Sequence, residues 1–240
     1  MTPDLSTQLQ TLSKDTDYFG IADLAPAHDF ILGQGGEEVA SYPVGVVIGM
    51  RLLDSFVDPL PTRDPAAAIL YRHNAYDVVN AALDQIALRV ANTIQRAGFS
   101  AFPVPASKRT SDAGICSIFS QKLAAHLAGM GWIGKSCLLV IPDHGPRVRW
   151  VTILTDAPLL PTGDAMEQRC GKCTACVDIC PVQAFTGRPF SPDEPREARF
   201  DAAACERYFK EMEQQGLVSV CGLCLYVCPH GRKKPERGND

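Results

Sequence analysis

Cys170, Cys173, Cys176 and Cys180, followed directly by Pro181, spell CxxCxxCxxxCP, and Cys221, Cys224 and Cys228 before Pro229 repeat the last three cysteines of that pattern. The rhythm of two, two and three intervening residues is that of thiolate ligands to a 4Fe-4S cluster. Three thiolates spaced this closely on one loop reach three corners of a cube, while the fourth approaches from elsewhere. Each proline ends its ligand loop, because it offers no backbone donor and restricts the cysteine before it. The repeat lacks its first cysteine, whose place falls on Val218, and the nearest upstream substitute is Cys205. Counting Cys205, eight thiolates are available, the demand of two four-iron clusters.

In two-cluster ferredoxins the fourth ligand crosses to the other cluster. Applied here, the rule pairs Cys170, Cys173 and Cys176 with Cys228, and Cys205, Cys221 and Cys224 with Cys180. Structural zinc would also accept paired CxxC units, but it leaves the third spacing and both prolines without a reason. A disulfide framework fails on context: residues 1–13 contain neither the basic nor the apolar region of a secretory signal. A cytoplasmic location with reduced thiols is therefore expected. Cys116 and Cys137 lie outside both motifs and read as small buried hydrophobes.

At 240 residues the chain can bury about 70–75% of its extended surface, enough for a core without disulfides. No apolar run reaches the length of a membrane span. A formal charge of -4 gives no general attraction to nucleic acid or anionic lipid. The basic residues Arg232, Lys233, Lys234 and Arg237 read as a solvated, frayed end.

Hydrophobic periodicity organises the rest. Thr2 and Pro3 can start a helix carrying Leu5, Leu9 and Leu12, and residues 19–24 read as a short strand. Residues 42–50 form a nearly continuous apolar run, which predicts a strand buried on both faces. Residues 76–96 predict the longest helix, ending at Gly98. Residues 99–104 read as a strand, 117–128 as a helix, and 137–141 and 148–154 as strands joined into a hairpin by the turn 143–146. His126, isolated on its helix, reads as a packed or solvated side chain. Composition shifts after Pro161 toward cysteines and short segments. The expected organisation is α+β: an α/β domain over residues 1–165, then a small ferredoxin-like cluster domain over 166–240.

Gly129 to Ser136 reads GMGWIGKS and satisfies two phosphate-loop patterns, yet both patterns need a strand before the glycines and a helix after them. Here the helix comes first and the strand second, so nucleotide binding is not expected. The glycines can instead end the helix and let the backbone pass close to a bulky group, with Trp132 packed beside it and Lys135 as the nearby charge.

The order of GWIGK (Gly131, Trp132, Ile133, Gly134, Lys135), an apolar strand at 138–140, CxxCxxCxxxCP, a lone cysteine and CxxCxxxCP resembles epoxyqueuosine reductase. That family of cobalamin-dependent enzymes finishes queuosine in tRNA and is related to the reductive dehalogenases. The resemblance covers most of the chain, with weaker similarity around Tyr76. It implies a corrinoid held against the α/β domain near GWIGK, two 4Fe-4S clusters, and an external low-potential electron donor. It also supports the crossed ligand pairing. The family's acid falls on Ile115, so Asp112, the nearest carboxylate, and Cys116 are the candidate catalytic residues. The chain stops at Asp240 without the family's helical repeats that help grip tRNA, so tRNA is not expected as a partner. The sequence thus predicts an iron–sulfur oxidoreductase that relays electrons to a corrinoid, to reduce an unnamed substrate or the corrinoid itself. The alternative is a non-enzymatic electron carrier with a docking domain.

Overall fold

The computed structural model describes residues 4–232. Helix α1 (Leu5–Leu12) is capped by Asp4, whose carboxylate accepts from the Thr7 N–H at 3.0 Å; the start proposed at Thr2 and Pro3 lies outside the described residues. There follow β1 (Tyr18–Asp23), α2 (His28–Ala40), β2 (Val44–Arg51), α3 (Asp54–Val57) and α4 (Pro65–Arg72). A π-helical segment, His73–Val78, joins α4 to the long α5 (Val79–Arg96). Next come β3 (Ala101–Val104), α6 (Gln121–Leu127), β4 (Trp132–Ile133), β5 (Leu139–Val140) and β6 (Val148–Thr155). The cysteine-rich half carries α7 (Ala175–Asp178), α8 (Ala202–Gln214) and α9 (Leu223–Tyr226).

The main sheet has the order β1-β2-β6-β3, and every pairing is antiparallel. Alternate residues of β2 enter different cores. Val46 and Ile48 pack with Leu83, Val90 and Ile94 of α5, while Val47 packs with Leu123 and Ala124 of α6. Helices on both faces therefore explain the continuous apolar run, which elsewhere marks a parallel strand. Helix α5 ends as its pattern requires: Gly98 has φ +92°, its N–H reaches the Gln95 carbonyl and the Phe99 N–H reaches that of Ile94.

Two expectations need correction. The helix around residues 117–128 is shorter, because residues 117–119 remain irregular before α6. The hairpin across 143–146 does not form. β5 pairs with β4 in a separate two-stranded sheet, and Ile141 and Gly145 close their own turn through bonds of 2.9 and 2.8 Å. The turn is diverted because Gly145, at φ +57°, lies directly against the Gly231 backbone, just after the last cysteine.

A third core spans the boundary seen in the sequence. Leu52, Val57, Leu60 and Tyr71 from the first half close over Val220, Leu223 and Leu225 from the cysteine-rich half. The cysteine loops are thereby held against α3 and α4. Among the described residues, no helix is long and apolar enough to cross a membrane.

Candidate metal centre

The cysteine thiols fall into two neighbouring sets. Burial raises the Cys176 thiol to about 11, with Cys170, Cys228 and Cys173 adding to the effect. Burial likewise raises Cys205 to about 11, and there the contributing neighbours are Cys221 and Cys180. Cys224 is pushed up by burial and then by Cys221, Cys205, Cys180 and Cys176. Crowded thiols without a cation resist ionisation, whereas an iron cluster supplies the positive charge that holds them as thiolates. Among the described residues, no three His, Cys, Asp or Glu side chains gather tightly enough for one metal ion. Neighbouring cysteines with no carboxylate or histidine among them are the donor chemistry that iron–sulfur clusters use. Cys176, beside both Cys228 and Cys224, is where the sets adjoin.

GWIGK supports the first set. The Lys135 ammonium donates to the carbonyls of Gly171 and Cys173 at 2.9 and 3.1 Å, pinning the first ligand loop. A Cβ on Gly134 would stand 3.5 Å from Cys170 Sγ. Trp132 is 1% exposed, and the flat group beside it is the His230 ring, edge-on at 4.9 Å. Helix α6 ends at Gly129 with φ +77°, and buried His126 shares a 2.9 Å hydrogen bond with the Gly131 carbonyl. Any Cβ on Gly131 would strike the Val140 carbonyl. Gly131→Ala should therefore separate β4 from β5 and cost about 1–3 kcal/mol, read as a lowered Tm.

The second set lies against an aromatic pair. Gly222, at φ +69°, brings the Cys221–Cys224 loop so close that a Cβ there would sit 3.2 Å from Tyr71 Cε1. Tyr71 is buried and its phenol is held protonated, first by burial and then by its neighbour Tyr76. The two rings meet edge-on at 6.3 Å. The π-helical segment turns Tyr76 between two guanidiniums, Arg72 at 4.7 Å and Arg149 at 4.4 Å from the ring centre. Arg149 in turn lines a cavity of about 210 Å³ with Gln121, Lys122, Leu138 and Leu139. Within it, the Lys122 ammonium donates to the Cys137 carbonyl at 2.7 Å. Burial lowers its pKa, the Cys137 thiol opposes that, and Arg196 and Arg199 reinforce it. Cys137 itself is buried, as its sequence context suggests.

The loop bearing Asp112 and Cys116 is docked on the cysteine-rich half. Arg196 donates to the Gly114 and Ile115 carbonyls at 2.7 and 3.1 Å, and Arg109 pairs with Glu206 of α8 at 2.6 Å. Ile115 adopts φ +45° and shares the wall of a second cavity, of about 370 Å³, with Cys205, Glu206 and Phe209. Asp112 is almost fully exposed, 3.5 Å from Arg109, while Cys116 is half-buried and its backbone bridges Ser111. Lys122, Arg149, Tyr71 and Arg196 escaped sequence reasoning, since none belongs to a motif. The only hint was the similarity around Tyr76.

The fold and the thiol sets define an α+β protein with an iron–sulfur domain. A family model described as a 4Fe-4S double cluster binding domain matches residues 169–231. Epoxyqueuosine reductase of Pseudomonas aeruginosa is 29% identical over 230 residues, which cover 85% of this chain and 57% of the relative. Among solved structures, a reductive dehalogenase described through its B12-dependent mechanism superposes with a TM-score of 0.61 at 20% identity, over 94% of this chain and 32% of that one. An epoxyqueuosine reductase bound to a modified tRNA-Tyr stem loop superposes with a TM-score of 0.56 at 15% identity, over 95% and 64%. The resemblance read from GWIGK and the cysteines is borne out: this chain is similar to epoxyqueuosine reductases and has the fold they share with reductive dehalogenases. It spans a little over half the length of the curated relative.

Proposed function

We propose that this chain is an iron–sulfur reductase of the epoxyqueuosine reductase type, with residues 166–240 carrying two 4Fe-4S clusters and residues 1–165 forming the acceptor side. The sorting of eight cysteines into two thiol sets carries this reading. Cys170, Cys173, Cys176 and Cys228 hold one cluster, and Cys180, Cys205, Cys221 and Cys224 hold the other. Bound there, the clusters pass single electrons at low potential from an external donor toward an acceptor. The acceptor we favour is a corrinoid, the group implied by the similarity to a B12-dependent dehalogenase. Lys122, the free donors of Arg149 and the unpartnered Gln121 Oε1 offer hydrogen-bond partners for its polar periphery. The 210 Å³ cavity has room for one peripheral group of such a cofactor.

The chain's own residues hold the cluster loops, exclude water and supply a proton. Lys135 fixes the first ligand loop and Trp132 packs on His230 just after Cys228, while Tyr71 and Leu223 shield the second loop. Asp112 and Cys116, on the loop fastened by Arg196, are the groups available to deliver a proton. The solved relative that carries a modified tRNA stem loop makes a tRNA with a modified base the second candidate substrate.

Iron and acid-labile sulfide in anaerobically purified protein should each approach about eight per chain. A count near four would remove the second cluster from the proposal. Titration with cob(II)alamin should change the visible spectrum of the cluster-replete protein. Full iron without any spectral or calorimetric response would leave an electron carrier instead.

A further inference from the structure

The cavity of about 210 Å³ beside α6 has two cationic walls and no anionic one. Lys122 spends one of its three N–H donors on the Cys137 carbonyl, and the charges nearest to it are the guanidiniums of Arg196 and Arg199. Arg149 directs Nε to the Asn80 side-chain oxygen at 3.0 Å and lays its plane over Tyr76, leaving its terminal nitrogens without a hydrogen bond among the described residues. Neither Lys122 nor Arg149 has a carboxylate partner among the described residues. Cations drawn out of water ordinarily bring a counter-charge with them. Here Lys122 and Arg149 line an open volume whose walls contain no carboxylate.

The remaining walls suit a small ligand rather than a second protein segment. Leu138, Leu139, Val148 and Trp150 give an apolar floor, and Gln121 Oε1 is a buried acceptor without a donor. Gln121 cannot turn to relieve it, because its Nε2 is fixed on the Val104 and Pro105 carbonyls at 3.2 and 3.0 Å. The charged oxygens of any oxyanion can accept from Lys122 and Arg149, and hydrogen phosphate, which retains one hydroxyl, can also donate it to Gln121; a carboxylate or phosphodiester leaves that acceptor to water.

We infer that this cavity is an oxyanion site, taking a phosphate or carboxylate group between Lys122 and Arg149. Resting on the reductase reading, the inference makes the molecule delivered to the acceptor side anionic. The same oxyanion chemistry is carried by a free small substrate and by the phosphodiester of a corrinoid.

Calorimetric titration of the cluster-replete protein with inorganic phosphate and, separately, with benzoate tests the site. At least one should bind stoichiometrically, and Lys122→Gln and Arg149→Gln should each weaken it by about tenfold or more, with iron content unchanged. Arg149→Gln guards against the chance that Lys122→Gln disturbs the Cys137 turn. Repeating the titration with cob(II)alamin present separates the sources: loss of phosphate binding assigns the oxyanion to the cofactor, and unchanged binding assigns it to a substrate. Absence of binding by both anions, or binding undiminished in both variants, would overturn the site. Iron content and dithionite bleaching of the same samples report on the reductase reading independently. Full, reducible clusters without anion binding would sink this inference alone.

Discussion

Cys205→Ala should lower the iron content of the anaerobic protein from about eight to about four per chain, and it should do so without unfolding the chain. Cys205 lies on α8 rather than in a ligand loop, and alanine is the most favourable helix residue, so α8 has no local reason to unravel. What disappears is one corner of the second donor set, leaving Cys180, Cys221 and Cys224. The first set contains no residue of α8 and should keep its cluster. Because Cys205 also lines the 370 Å³ cavity, its loss opens the second cluster to water from that side. Cys116→Ala is the matched control, since Cys116 belongs to neither thiol set and its removal should leave iron at the wild-type level. Iron and sulfide analysis with electron paramagnetic resonance of the reduced samples reads both variants. Wild-type iron in Cys205→Ala would mean that another side chain is the eighth ligand.

Much of this architecture was legible in the sequence because its signals are local. Cysteine spacing needs only a few residues to define a ligand loop, and the α5 periodicity with Gly98 needs only the helix itself. The two-sided burial of β2 was equally plain in its run of apolar residues. Longer-range features were not. The turn at 143–146 has a good hairpin sequence, yet it was overridden by the contact between Gly145 and Gly231, residues far apart in the chain. Helix α2 contains Gly33, Gly35 and Gly36, a composition that argues against a helix; Gly36, at φ +79°, breaks it into two pieces, which are held where Ile31 and Val39 are buried. GWIGK was read as a cofactor-binding segment, and nothing in its spacing gave the partner of Lys135, the cysteine loop. The cations of the 210 Å³ cavity come from α6 and β6, and no spacing rule joins Lys122 to Arg149. Such a site exists only once the chain is folded.

Arg147 was silent in the sequence for the same reason, and its replacement should be the most destabilising single change outside the glycines. Its side chain is 2% exposed, donates to Asp54 at 2.8 Å and forms an ion pair with Asp58 at 2.7 Å, while Arg51 takes the other Asp54 oxygen at 2.7 Å. Its stem packs on Gly231, where a Cβ would approach Arg147 Cγ to 3.3 Å, and its carbonyl accepts from the Leu52 N–H. One side chain thus ties α3, the 143–146 turn and the loop after Cys228 together. Arg147→Met keeps most of the volume but removes the guanidinium from the Asp54 and Asp58 carboxylates, at a cost of about 3 kcal/mol, the lower end for a broken buried pair because Asp58 is half-exposed. For a chain of this length that corresponds to a Tm lower by about 6–12 °C. The effect carries a pH signature. Burial alone would raise the Asp54 pKa, but Arg51 and Arg147 together hold it below the ordinary carboxylate range. A depressed carboxylate stabilises the fold fully above its unfolded value, about 4, and that contribution is lost as pH falls through the lower folded value. The loss of stability between Arg147→Met and wild type should therefore be largest near neutral pH and shrink as Asp54 becomes protonated in acid. The loosened loop should also release iron from the first cluster to a chelator faster than wild type, while the Cys205 set holds its iron. A Tm near wild type at pH 7, or a difference that grows in acid, would show that the ion pairs around Arg147 do not carry the strut.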